Sequence, residues 1–226
     1  MHIKINKKIK TLFLGNPLVY NRFMEIKNKT IILASASPRR LAILRDHGIE
    51  PVVHPADIEE IIPEYEDVHE VPSFIASSKA TSVLRECEST DGIIIAADTI
   101  VYLGDPKGQG EIMGKPTDPE DGFRMLSMLR DRTHLVITGV CLIDIATGTR
   151  RVFTETTYVT FTPIPDDELV SYLETPEAYD KAGGYAIQGT FSKYIKSFDG
   201  SYDNVVGFPW ERVYKEINIL QEELSK

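Results

Sequence analysis

"DGIIIAADTIVYLG", Asp91 to Gly104, decides how the chain reads. Its residues are apolar almost throughout, without the alternation of a half-exposed strand, so it reads as a central strand buried on both faces. Upstream, "VPSFIASSKATSVLREC", Val71 to Cys87, has the pattern of a helix. Downstream, a Gly/Pro-rich loop runs into a helix that opens with Asp118 as N-cap, Pro119 at the first helical position and Asp121 in the first turn. "HLVITGVCLID", the turn "ATGTR" and "VFTETTYVTFTPI" form a hairpin whose second arm alternates as a strand does. A short helix "DDELVSYLETPEAY" and a C-terminal helix follow. Toward the N-terminus, "TIILAS" reads as a buried strand, "SPRRLAILRDHG" as a helix stopped at Gly48, and "PVVHPADIEEIIPEYE" as irregular. Helices and strands alternate, so the expected fold class is α/β, a mixed twisted central sheet flanked by helices.

The 226 residues, 42% hydrophobic and 26% charged, suit a globular protein with one good core. A formal charge of -9 argues against a broad electrostatic grip on nucleic acid, while a local basic pocket for a small polyanion stays open. Cys87 and Cys141 form neither a CxxC nor a Cys/His cluster, so zinc and a disulfide framework are not indicated and a reducing, cytoplasmic setting fits. No apolar run approaches the roughly 20 residues of a membrane span. Residues 1–28 read as an N-terminal extension. The first 23 carry five basic residues and no acidic one, and are expected to be flexible or a mis-assigned start, with a targeting segment as the other reading.

Three features bear on chemistry. In "LASASPRR" Ser37 is placed as an N-cap and Pro38 as the first helical residue, which puts Arg39 and Arg40 in the first turn. Cations there oppose the helix dipole by about 0.3–1 kcal/mol each unless an anion lies between them. The stretch therefore reads as a phosphate site assisted by the Ser35 and Ser37 hydroxyls, or as a capped helix with solvated arginines. Next, Asp98 interrupts an apolar strand, where an unpaired carboxylate costs several kcal/mol. A divalent metal, a catalytic water or a structural hydrogen bond would each answer it. Glu59 and Glu60 in "ADIEE" supply further acids, read either as a solvated loop or as partners of Asp98, since Mg²⁺ on a triphosphate needs only one or two protein carboxylates. Lys79 in its helix and Lys115 after a glycine belong to no Walker motif. His134, opening a strand, reads as a base or as a packed residue.

Taken in order, "LASASPRR", "ADIEE", "SSKA", "AADTIV", "GKPTDPEDGFRML", "RTHLVITGV", "DKAGGYAIQG" and "GSYDNVVGFP" resemble the Maf (septum-formation inhibitor) family over about residues 30 to 218. The resemblance implies a Maf/ITPase-like fold with a cleft between two lobes, over residues 29–226. It also implies hydrolysis of a nucleoside triphosphate between the α and β phosphates, with Mg²⁺ or Mn²⁺ required and a homodimer as the assembly. Asp98 takes the place of the family's proton acceptor, Glu60 and Asp98 of its metal-facing acids, and Arg39, Arg40, Lys79 and Lys115 of its phosphate-facing cations. Base selection falls to Arg40, Thr99 and Gln188. "AGGYAIQG" is similar to the branch acting on dTTP and UTP; the alternatives are the branch acting on 7-methyl-GTP and a nucleotide-binding regulator of septum formation with little catalysis. A Gln amide offers one donor and one acceptor, the complement of the O4/N3–H edge of uracil or thymine. The chain departs from the family pattern in three places. "SFIASSKA" lacks an arginine often found there, "GDPKGQGEIMGKP" is longer than the usual turn, and "RDRTH" stands where "SGRTH" is common.

Overall fold

The computed structural model describes residues 29–225; the expected N-terminal extension therefore lies outside the described residues. In chain order the elements are β1 (Ile31–Leu33), α1 (Pro38–Asp46), β2 (Val52–Val53), α2 (Glu70–Glu86), β3 (Ile93–Gly104), β4 (Gly110–Met113) and α3 (Pro119–Leu129). There follow β5 (Thr133–Asp144), β6 (Arg150–Phe161), α4 (Asp166–Leu173), two 3₁₀ turns (Ala182–Gly184 and Thr190–Tyr194), β7 (Ile195–Asp199), α5 (Tyr202–Val206) and α6 (Trp210–Leu224). Among the described residues no helix is long and apolar enough to cross a membrane.

The seven strands form one mixed sheet in the order β2-β1-β3-β5-β6-β7, with β4 attached to β3. β1 runs parallel to β2 and β3, and the remaining pairs are antiparallel. One edge of β3 is shared: β1 covers Ile93–Ile95 and β4 covers Val101–Gly104. Between them the edge from Ala96 to Ile100 is open, and the sheet forks there.

The packing divides at the same place. On the face covered by α2, one cluster holds Ile94 and Ala96 with Ala76 and Ala80, and a second holds Ile100 and Tyr102 with Val71 and Ile75. On the other face, Ile95 and Ala97 pack with α1 and α6, whereas Val101 packs with α3 and α4. Asp98 and Thr99 are the two polar positions left at the seam, on opposite faces of the strand because side chains alternate. The expected cleft between two lobes follows from this fork.

Local chemistry explains the element ends. Asp118 caps α3 by accepting from the Asp121 N–H at 2.8 Å, with Pro119 behind it. Ser37 does occupy the N-cap position of α1, but its side chain makes no capping bond; its N–H donates instead to Ser35 Oγ at 3.2 Å. Two stretches expected to be irregular contain strands, β2 and β4. The long Gly/Pro-rich segment is a hairpin, closed by backbone bonds between Asp105 and Gln109 and between Gly108 and Asp105. In "RDRTH", Asp131 has a positive φ of 54°, alone among the described non-glycine residues, so an aspartate holds the left-handed turn that a glycine would hold without a Cβ penalty.

Candidate active site

The open edge of β3 is the floor of a cavity of about 620 Å³. That volume falls within the roughly 300–1,000 Å³ of small-molecule sites. Its first wall is built by the turn from β1 into α1. The Ala34 N–H donates to the Ile95 carbonyl at 2.9 Å and keeps the chain on the sheet as far as Ser35, which is buried. Ser35 Oγ then accepts from Arg40 Nη1 at 3.0 Å. Arg40 Nε donates to the Gly207 carbonyl at 2.9 Å, and Nη2 to Thr99 Oγ1 at 3.3 Å, which is itself 3.0 Å from Thr138 Oγ1. The guanidinium is thus fixed by three elements at once. Burial lowers its pKa, the Asp98 carboxylate opposes that shift and Arg39 adds to it.

The second wall comes from α2. Gly139 of β5 lies opposite Asp98 in register. A Cβ at Gly139 would fall 2.2–2.4 Å from the Pro72 and Ser73 backbone, so only glycine lets the helix settle this close to the sheet. From that helix Lys79 reaches over the strand, its Nζ 2.7 Å from Asp98 Oδ1 and 2.7 Å from Glu60 Oε1. Lys79 and Asp98 are buried, while the Glu60 side chain, on the irregular segment after β2, is 55% exposed. Burial opposes ionisation of Glu60, but the hydrogen bond from Lys79, with Lys115 and Arg40 beyond it, outweighs that and holds the carboxyl below the usual range. Among the described residues no group of three or more His, Cys, Asp or Glu could hold a metal; the oxygens gathered here are the pair Asp98 and Glu60.

The third wall is the segment between α4 and β7. Asp180 accepts from Arg39 Nη1 at 2.6 Å, its backbone carbonyl from Arg39 Nη2 at 3.2 Å, and it pairs with Lys181 as well. Beyond the glycines of the first 3₁₀ turn, Tyr185 and Gln188 face the same cavity. Ten of the residues singled out in the sequence line it, namely Ser35, Ser37, Arg39, Arg40, Glu60, Lys79, Asp98, Thr99, Lys115 and Gln188, whereas Glu59 and His134 do not.

A model of the Maf-like protein family matches residues 30–220. The chain belongs to that family. Several relatives bear the name dTTP/UTP pyrophosphatase. The one from Desulforamulus reducens is 39% identical over 196 residues, covering 87% of this chain and 99% of that protein. Those from Halalkalibacterium halodurans and Agathobacter rectalis are 40% and 42% identical, each covering 84% of this chain and 96% and 97% of their own length.

In this Maf-like protein the longer hairpin brings Lys115 to the cavity wall from the exit of β4. His134 is packed rather than placed as a base: it is fully buried, its Nε2 lies 2.8 Å from the Tyr185 hydroxyl, and burial drives its pKa down to about 3. Sequence reasoning did not single out Asp180 and Lys181, although an acid and a base placed directly before two glycines were a signal available in "DKAGG". It also missed the Gly207 carbonyl, for which a backbone acceptor leaves no side-chain signature.

Proposed function

We propose that this Maf-like protein is a nucleoside triphosphate pyrophosphatase that hydrolyses dTTP and UTP to the monophosphate and pyrophosphate. The observation that carries the reading is the convergence of Asp98, Lys79 and Glu60 at the open edge of β3, in a cavity that Gln188 also lines. The names and identities of the relatives support the same substrates.

The donor chemistry fits a hard divalent cation, because two carboxylates are what Mg²⁺ or Mn²⁺ asks of a protein when phosphate oxygens complete its shell. Asp98 and Glu60 would hold it, and when bound it supplies charge neutralisation on the phosphates. The rest falls to the chain. Lys79 engages Asp98 Oδ1, leaving Oδ2 to take the proton of the attacking water. The water oxygen forms one new P–O bond, the α–β anhydride bond breaks, and pyrophosphate leaves with its electron pair. Arg39, Arg40 and Lys115, with backbone N–H groups and the Ser37 hydroxyl at the start of α1, neutralise and orient the triphosphate, the dominant demand of phosphoryl transfer. Arg40 and Thr99, fixed by their mutual hydrogen bond, set the cavity wall against which Gln188 reads the pyrimidine edge.

The reading extends to residues 29–226 as the pyrophosphatase unit and to a cytoplasmic homodimer, which light scattering and fractionation test. The catalytic test is Asp98→Asn. The variant is expected to fold and to lose at least about a hundredfold in pyrophosphate release, on the scale of general base catalysis; near-wild-type turnover would overturn the assignment.

A further inference from the structure

We propose that Glu177 is a positioning residue for base selection, bracing the segment that carries Gln188; this rests on the reading of Gln188 as the group that meets the base. Glu177 stands just after α4 and is half-buried. Its Oε2 accepts from the Thr190 N–H at 3.3 Å and from Thr190 Oγ1 at 3.0 Å. Its backbone carbonyl accepts from Lys181 Nζ at 2.6 Å. One residue therefore holds both ends of the stretch from Lys181 to Thr190, and Gln188 lies within it.

The contact is tight. Gly189 has φ 132° and ψ -160°, backbone that glycine adopts far more readily than other residues, and a Cβ there would lie 2.3 Å from Glu177 Oε1. The carboxylate thus fills the space that the missing side chain leaves. On its other side the carboxylate meets the neighbouring Tyr172 hydroxyl. Burial, then the Glu177 charge, push the Tyr172 phenol up. The strut sits one residue from the side chain whose amide must pair with a base edge to discriminate.

The test is the ratio of kcat/KM for dTTP to that for CTP, measured on the full chain with Mg²⁺ for Glu177→Ala, Glu177→Gln, Gln188→Ala and the Glu177→Ala/Gln188→Ala double variant. Glu177→Ala, which removes both hydrogen bonds from Thr190, is expected to lower the ratio at least about tenfold, the fold-change of a single charge-assisted hydrogen bond. Glu177→Gln, whose amide oxygen still accepts from Thr190, should stay within about threefold of wild type. The double variant should match Gln188→Ala, because Glu177 acts through Gln188. If Gln188→Ala keeps the wild-type ratio, the base-facing reading fails and this proposal with it. If Gln188→Ala lowers the ratio but Glu177→Ala does not, or the double variant falls well below Gln188→Ala, the positioning role alone is overturned. Should Glu177→Ala not fold, Thr190→Val, at an exposed position, should lower the ratio about twofold or more, since it removes one of the two hydrogen bonds that reach the Glu177 carboxylate. An unchanged ratio in that variant also overturns the proposal.

Discussion

Lys79 Nζ lies 2.7 Å from Asp98 Oδ1 in a pair whose side chains are each 11% exposed, and the same nitrogen holds Glu60 Oε1 at 2.7 Å. A single buried cation thus organises the two carboxylates to which the proposed chemistry is assigned. Removing it strands Asp98. Lys79→Met is expected to lose about 3 kcal/mol of stability, the cost of an unpartnered buried charge. Lys79→Met/Asp98→Asn should recover much of that loss while pyrophosphate release stays abolished. Glu60→Gln should cost under about 1 kcal/mol because Glu60 is more than half exposed, yet weaken the Mg²⁺ dependence of turnover. Denaturant unfolding beside a pyrophosphate assay checks all three.

The two arginines of "SPRR" should separate. Arg40 is fixed by Gly207, Ser35 and Thr99, a fork that a lysine cannot reproduce. Arg40→Lys is expected to lose about 1–3 kcal/mol of stability along with base discrimination. Among the described residues Arg39 hydrogen-bonds to Asp180, whose carboxylate is exposed, so Arg39→Lys should be close to neutral in stability and act mainly on KM. Unfolding midpoints and the kcat-against-KM split for dTTP distinguish the pair.

Stability should fall between pH 7 and pH 5 because of His134. Its folded pKa is depressed to about 3 by burial, so below about 6.5 the unfolded chain takes up a proton that the native protein refuses. The loss at pH 5 is about 2 kcal/mol. His134→Gln should flatten the curve in that window even if it lowers stability overall, and unfolding followed from pH 7 to pH 5 reads the slope.

Asp131 carries a left-handed backbone at φ 54°. Asp131→Gly is expected to raise stability by about 0.5–1 kcal/mol, and Asp131→Val to lower it by about 1–2 kcal/mol, because a β-branched residue fits that region worst. A thermal melt of the three proteins is sufficient.

What the sequence made legible was local. The apolar run of β3 and the Asp-Pro start of α3 each carry their signal within a few residues, and Asp98 was conspicuous because burial and charge conflict at one position. β4 escaped because three residues between Gly110 and Gly114 leave no periodicity to read. Lys79 resembled a surface lysine, since nothing in its helix reveals that Gly139, 60 residues later, lets the helix close onto Asp98. The Arg39–Asp180 pair spans 141 residues and exists only through the tertiary fold.

The central claim is that the cavity at the fork cleaves pyrimidine nucleoside triphosphates between the α and β phosphates. Its most direct measurement is product analysis of the purified chain with Mg²⁺ and, separately, dTTP, UTP, CTP and 7-methyl-GTP. Pyrophosphate with dTMP or UMP is expected, with faster turnover of dTTP and UTP than of the other two. Release of orthophosphate with the nucleoside diphosphate, or faster turnover of 7-methyl-GTP, would contradict it.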